Sequence, residues 1–178
     1  MTAKALFLDR DGVINEDIGY VHTVEQFRFT EGIHDTLKHA AALGYKLIVV
    51  TNQAGIGRGY YTEADFRKLT AWMITRLAQS GVLVHAVYYC PYHPEHGKGD
   101  YKRWSYWRKP NPGMLLEAAK DFGLDLSLSI MVGDQETDIE AGIRAGVGRC
   151  YLLSAKTSPQ QTKAHKVLRN IRELMDLL

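Results

Sequence analysis

Cysteine is scarce in this chain: Cys90 and Cys150 are the only two in 178 residues. That is too few for a disulfide framework, and both read as small buried thiols. Long apolar runs are missing as well; none approaches the roughly 20 residues needed to cross a bilayer, so no membrane attachment is expected. The N-terminal segment lacks the charged region, apolar core and small-residue cleavage site of a secretory leader, and the chain is expected to stay in the cytoplasm. An excess of one charge is also lacking. The 22 Lys and Arg against 20 Asp and Glu leave a net charge of +2, with no basic block of the kind that tracks nucleic acid. There is no internal repeat and no low-complexity tract. What remains, 46% hydrophobic and 24% charged residues, is ordinary globular composition at a length suited to one core, so residues 1–178 are read as a single domain.

The apolar pattern alternates strands with helices. Residues 5–8 (Ala-Leu-Phe-Leu) form a short run closed by Asp9, which reads as a buried parallel strand. Residues 32–42 repeat at helical spacing through Ile33, Leu37, Ala40 and Ala41, and residues 47–50 read as a second strand. Thr62 is placed to cap a helix carrying the stripe Phe66, Leu69, Met73 and Leu77, with Gly81 as its stop. Strands are predicted over 82–89, 129–132 and 150–153, helices over 111–122, 136–145 and 163–178, and a long structured loop over 91–110. This order implies an α/β, Rossmann-like, mostly parallel sheet with helices on both faces. Ligands of such sheets bind beyond the carboxyl ends of the strands.

Every chemically distinctive cluster falls at such an end. Asp9-Arg10-Asp11-Gly12 puts two carboxylates two residues apart, and Gly12 lets the backbone turn close to a ligand. As an isolated motif this would equally suit a solvated turn. Facing one small site, the two acids repel unless a proton or a hard divalent cation compensates, which points to magnesium. Thr51, Asn52 and Gln53 end the second strand with a hydroxyl and two amides suited to phosphate oxygens. Arg108 and Lys109 place cations ahead of a helix, where they can neutralise a transferring phosphoryl group. Asp134 ends a further strand and supplies a third oxygen ligand, and Asp138 follows one helical turn later. A nucleophilic carboxylate, a second acid, a hydroxyl, a lysine and a metal carboxylate together form the inventory of phosphoryl transfer to aspartate.

The ordered set of D-x-D-G, a strand ending in T-N, a lysine in R-K-P, and G-D-x-x-x-D resembles the haloacid dehalogenase superfamily. Within it, the segments 9–15, 19–22, 51–56 with Arg58-Gly59, 88–91, 108–114 and 131–134 are similar to the heptose-bisphosphate phosphatases and to the related histidinol-phosphate phosphatases. The likeness runs from residue 6 to about residue 153. It implies Asp9 as nucleophile and Asp11 as acid and base. It also implies magnesium on Asp9, the Asp11 backbone carbonyl and Asp134, with Thr51 and Lys109 on the phosphoryl oxygens. Asn52, Gln53, Arg58 and Arg108 are implied in substrate recognition, and Asp17, Gly19 and Tyr20 lie where the first substrate loop falls. The substrate implied is a phosphorylated sugar and the assembly a monomer. The gaps between motifs leave no room for a large cap domain, so the site should be open.

Two departures stand out. The family's structural zinc is held by Cys-x-His and a later Cys-x-Cys, positions occupied here by Cys90, Tyr92, Ser105 and Trp107. Cys90, His93 and His96 offer at most three ligands where closed zinc sites take four, so structural zinc is not expected. Tyr101, Trp104, Tyr106 and Trp107 are expected to pack this loop instead. Gln135 also replaces a lysine common after the magnesium aspartate. A receiver domain shares Asp, Thr, Lys and magnesium but not this motif order, and the intact Asp9, Asp11, Lys109 and Asp134 argue against a silent binding protein. The alternative is a histidinol-phosphate phosphatase or a broader sugar-phosphate phosphatase.

Overall fold

The computed structural model describes residues 3–156 and 158–178; Met1 and Thr2, where the leader reading begins, lie outside them. Lys4–Leu8 forms β1, Tyr45–Asn52 β2, Val84–Cys90 β3, Ile130–Gly133 β4, Arg149–Leu153 β5 and Lys166–Leu168 β6. Among the described residues these make one sheet in the order β3-β2-β1-β4-β5-β6, parallel at every pairing. The chain builds outward from β1 to β3, then returns to the other side of β1. The crevice where the direction reverses therefore lies between β1 and β4.

The helices are α1 (Ile33–Ala42), α2 (Ala54–Arg58), α3 (Glu63–Gln79), α4 (Gly113–Phe122) and α5 (Glu136–Ala145). Because successive strand residues face opposite sides, each strand feeds two cores. Leu6, Leu8, Leu47, Val49 and Val132 pack with Leu37 of α1 and with Leu69, Met73 and Leu77 of α3. Ala5, Phe7, Ile48, Val50 and Met131 pack with Met114 and Ala118 of α4 and Ile139 of α5. Burial on both faces explains why the strands read as continuous apolar runs rather than alternating ones.

Thr62 caps α3 as expected, in a reciprocal box. Its hydroxyl accepts from the Asp65 N–H at 3.1 Å, and the Asp65 carboxylate accepts from the Thr62 N–H at 2.9 Å. Pro112 occupies the position before α4 rather than its first turn. The helix expected over 163–178 is not formed. This segment instead adds β6 to the sheet edge and continues as a 3₁₀ turn over Ile171–Leu177. Ile171, Leu174 and Leu177 recur every three residues, the 3₁₀ period, and Asn170 before them is extended at φ −146° and ψ 159°. No helix among the described residues is long and apolar enough to cross a membrane.

Truncating Met73, which is fully buried, should cost about 3 kcal/mol of unfolding free energy. Thr62→Ala should cost about 1 kcal/mol through the lost cap. Urea unfolding of both variants checks the ranking; an equal or reversed ranking would contradict it.

Candidate active site

The ends of β1, β2 and β4 and the first turn of α5 converge on the β1/β4 crevice. Asp9 leaves β1 with its N–H donating to Val132 O at 3.0 Å, so the sheet ladder itself fixes the start of the acidic turn. Gly12 has φ +81°, and a Cβ there would fall 2.4 Å from Asp134 Oδ2; both the backbone and the close approach require glycine. At Gly133 the close approach alone requires glycine, since a Cβ there would meet Asp138 Cβ at 2.1 Å.

One buried cation organises the floor. Lys109 Nζ lies 3.0 Å from Asp9 Oδ1 and 2.5 Å from Asp138 Oδ1, and donates to Val50 O at 2.7 Å. Burial alone would discharge this ammonium, but Asp138 and Asp9 outweigh it and hold Lys109 above the usual lysine range. Asn52 clasps the lysine backbone from β2: its Nδ2 donates to Lys109 O at 3.1 Å and its Oδ1 accepts from Lys109 N at 3.0 Å. The peptide bond that follows, Lys109–Pro110, is cis.

Asp9, Asp134 and Asp138 bring carboxylate oxygens within 4.8 Å of one another. Burial, opposed by Lys109 and assisted by Asp138, Asp11 and Asp134, pushes Asp9 up to about 8. Asp134 is pushed up to about 6 by burial, with Gln135 opposing. A hard divalent cation would relieve this crowding with the oxygen ligands it prefers, so the donor set fits magnesium. Asp138 is the poorest of the three as a ligand: Oδ1 pairs with Lys109 and Oδ2 accepts from Gln135 N at 3.0 Å, closing the first turn of α5.

Asp11 is held differently. Arg10, 1% exposed, reaches it at 2.7 Å from Nη2 to Oδ1 and donates from the same nitrogen to Val21 O at 2.6 Å. Asn15 Nδ2 donates to Asp11 Oδ1 at 3.0 Å, and Gln53 Nε2 donates both to Asp11 Oδ2 and to Thr51 Oγ1, each at 3.0 Å. Above these groups opens a cleft of about 320 Å³, lined by Asp9, Asp11, Asp17, Tyr20, Gln53 and Asp134 among others. Asp17 accepts from the Gly19 N–H at 2.9 Å, and Tyr20 takes a left-handed conformation, φ 51°. Its ring meets Tyr60 edge-on at 4.7 Å with Arg58 6.0 Å away.

Asn52 and Gly19 also line this cleft, whereas Thr51 and Lys109 lie buried beneath it. Neither Arg58 nor Arg108 lines it; Arg108 donates to Tyr92 O at 3.3 Å, and burial together with Arg58 lowers its affinity for a proton. In the 91–110 loop, Tyr101 packs against Tyr92 and donates to Glu63 at 2.8 Å, while Trp107 meets Tyr88 at 5.9 Å. Trp104 and Tyr106 contact each other and stay exposed. Cys90 is buried, and His93 Nδ1 accepts from the backbone N–H groups of Glu95 and His96. Arg10, Asn15 and Tyr61 were not singled out by the sequence reading. The middle residue of D-x-D carries no signal of its own, and only the fold shows it turned inward.

Asp9 and Asp134 titrate near 3.8 when unfolded and at about 8 and about 6 when folded, so the folded, metal-free protein binds protons more tightly. Their stabilising contribution is complete below about pH 4 and is lost as pH rises through 6 and 8. Magnesium should therefore raise the Tm of chelator-treated protein more at pH 8 than at pH 5. An equal or smaller gain at pH 8, read by differential scanning fluorimetry, would contradict the assignment.

The family model described as HAD-hydrolase-like matches residues 106–174. The chain is 54% identical over 179 residues to the D-glycero-alpha-D-manno-heptose-1,7-bisphosphate 7-phosphatase of Burkholderia mallei, covering 100% of this chain and 95% of that protein. It is 51% identical over 144 residues to the D-glycero-beta-D-manno-heptose-1,7-bisphosphate 7-phosphatase of Haemophilus influenzae, covering 81% and 78%. The D,D-heptose 1,7-bisphosphate phosphatase of B. bronchiseptica, solved with magnesium and phosphate, superposes with a TM-score of 0.82 at 27% identity, covering 98% and 97%. With the sheet, the strand-end acids and full-length relatives in agreement, the chain belongs to the HAD-like hydrolases, in the family of the D-glycero-D-manno-heptose-1,7-bisphosphate 7-phosphatases.

Proposed function

We propose that this protein hydrolyses the 7-phosphate of D-glycero-D-manno-heptose 1,7-bisphosphate through an aspartyl-phosphate on Asp9, on the way to nucleotide-activated heptose for lipopolysaccharide or another surface glycan. The observation that carries the reading is the Asp9 carboxylate held by Lys109 at the floor of an open cleft with Asp11 beside it.

A carboxylate oxygen of Asp9 attacks the phosphorus while the bond to the sugar oxygen breaks, and the proton of Asp11 passes to that leaving oxygen. Asp11, now a carboxylate, takes a proton from water as the water oxygen attacks phosphorus; inorganic phosphate leaves and Asp9 is restored. Lys109 is held by Val50 O and by Asp138 against the cost of its burial, so its charge is fixed in place as negative charge builds on the phosphoryl oxygens. Gln53 occupies a lone pair of the Thr51 hydroxyl, which leaves the Thr51 proton for a phosphoryl oxygen. Magnesium, held by Asp9, the Asp11 carbonyl and Asp134, would keep these carboxylates ionised and withdraw charge from the phosphoryl group. Tyr20, Asp17, Arg58 and Arg108 border the path of the sugar. The protein is further proposed to act as a single cytoplasmic domain and as a monomer.

Phosphate release should be strongest with one anomer of heptose 1,7-bisphosphate, weaker with histidinol phosphate, and lost on chelation until magnesium is restored. Asp9→Asn should abolish it, and Thr51→Val should slow it on the order of a hundredfold. Equal rates across unrelated phosphate esters would overturn the substrate assignment, and full activity in Asp9→Asn would overturn the mechanism.

A further inference from the structure

Tyr61 forms one wall of the cleft and has no part in the steps above. Its ring is held on two contacts. It stacks on His22 with 5.0 Å between centroids and 2° between planes. It also presses on α2 so closely that a Cβ on Gly55 would fall 2.2 Å from Tyr61 Cε1. A ring fixed in this way gives its hydroxyl one direction, and the hydroxyl donates to Gln53 Oε1 at 2.5 Å. Burial, with Asp11 adding and Arg10 opposing, holds the phenol above its usual range, so it stays protonated and a donor.

Gln53 is 1% exposed, and both protons of its Nε2 are used, on Asp11 Oδ2 and on Thr51 Oγ1. A half-turn of the amide would exchange its nitrogen for its oxygen beside Asp11 and Thr51, and the oxygen would then accept the Thr51 proton that the phosphoryl group needs. The Tyr61 hydroxyl opposes that rotation, because its hydrogen bond to Gln53 is the one it makes among the described residues. A rotated amide would leave the buried phenol proton unpaired.

We propose that Tyr61 is a positioning residue of the phosphoryl-transfer site, fixing the Gln53 amide so that one N–H faces Asp11 and the other fills a Thr51 lone pair. The inference rests on the roles given to Asp11 and Thr51 under the proposed function. Tyr61 acts through Gln53 and needs no contact with the sugar, so its effect falls on kcat and not on KM.

Tyr61→Phe tests this, because it removes one oxygen and keeps the ring. The variant should lose roughly fivefold in kcat, the size of one net hydrogen bond, with KM changed by less than about twofold. In a Gln53→Leu background the same substitution should change kcat by less than about twofold, since the group it acts through is gone. Solvent exchange of the Gln53 side-chain amide, followed by NMR without substrate, should be faster in Tyr61→Phe than in the wild type. An unchanged kcat, an equal loss in both backgrounds, or unchanged amide exchange would overturn the inference. A wild type that releases no phosphate would overturn the proposed function instead, and the exchange comparison would still decide the role of Tyr61.

Discussion

One buried ammonium set between two buried carboxylates is the constraint on which the rest of this structure depends. Removing three charges from water costs several kcal/mol per ion, and only close pairing with full hydrogen bonding offsets it. The chain meets both conditions by recruiting separate elements: Lys109 from the loop before α4, Asp9 from the end of β1, Asp138 from the first turn of α5 and the Val50 carbonyl from β2. The Asn52 amide then fixes the lysine backbone from the end of β2. The same contacts that make burial tolerable also aim Asp9 at the cleft, so stability and chemistry share one set of atoms.

The second acid is held by a separate network, and this separation gives two like carboxylates different surroundings. Asp9 has a fixed cation beside it and is crowded by two further acids, whereas Asp11 is met by Arg10, Asn15 and Gln53. The glycines at 12 and 133 let Asp134 and Asp138 approach these groups more closely than any side chain would allow. Two loops that the sheet does not constrain are held by contacts of their own. The 17–20 turn is shaped by Gly19 and the left-handed Tyr20. The 91–110 loop is pinned by Tyr101 on Glu63 and by the Lys98 N–H on Gly57 O at 2.8 Å.

Much of this was legible in the sequence because it depends on local pattern. Doubly buried strands read as apolar runs, Thr62 announced the start of α3, and the acids stood where those runs ended. Thr51, Lys109 and Asp134 could be picked out by residue type and order. Four features were not legible. The segment 163–178 has apolar spacings of three and four that suit a helix, and its true state depends on the vacant edge of β5, a tertiary fact. The five-residue α2 holds two glycines and owes its form to contacts with Tyr61 and Pro91. Arg10 looks like a surface residue in sequence, and its burial follows from the way Val21 folds back over it. Asn52 was readable as a polar strand end, but its grip on the Lys109 backbone was not.

The central claim is that Lys109 and the surrounding acids make Asp9 the atom that receives the phosphoryl group. Acid quenching during turnover of substrate radiolabelled in the 7-phosphate tests it most directly. The account predicts hydroxylamine-labile label on the peptide containing Asp9, accumulating in Asp11→Asn, where leaving-group protonation and hydrolysis are both slowed but hydrolysis more so. Steady phosphate release with no label on the protein at any quench time, or label on another residue, would contradict it.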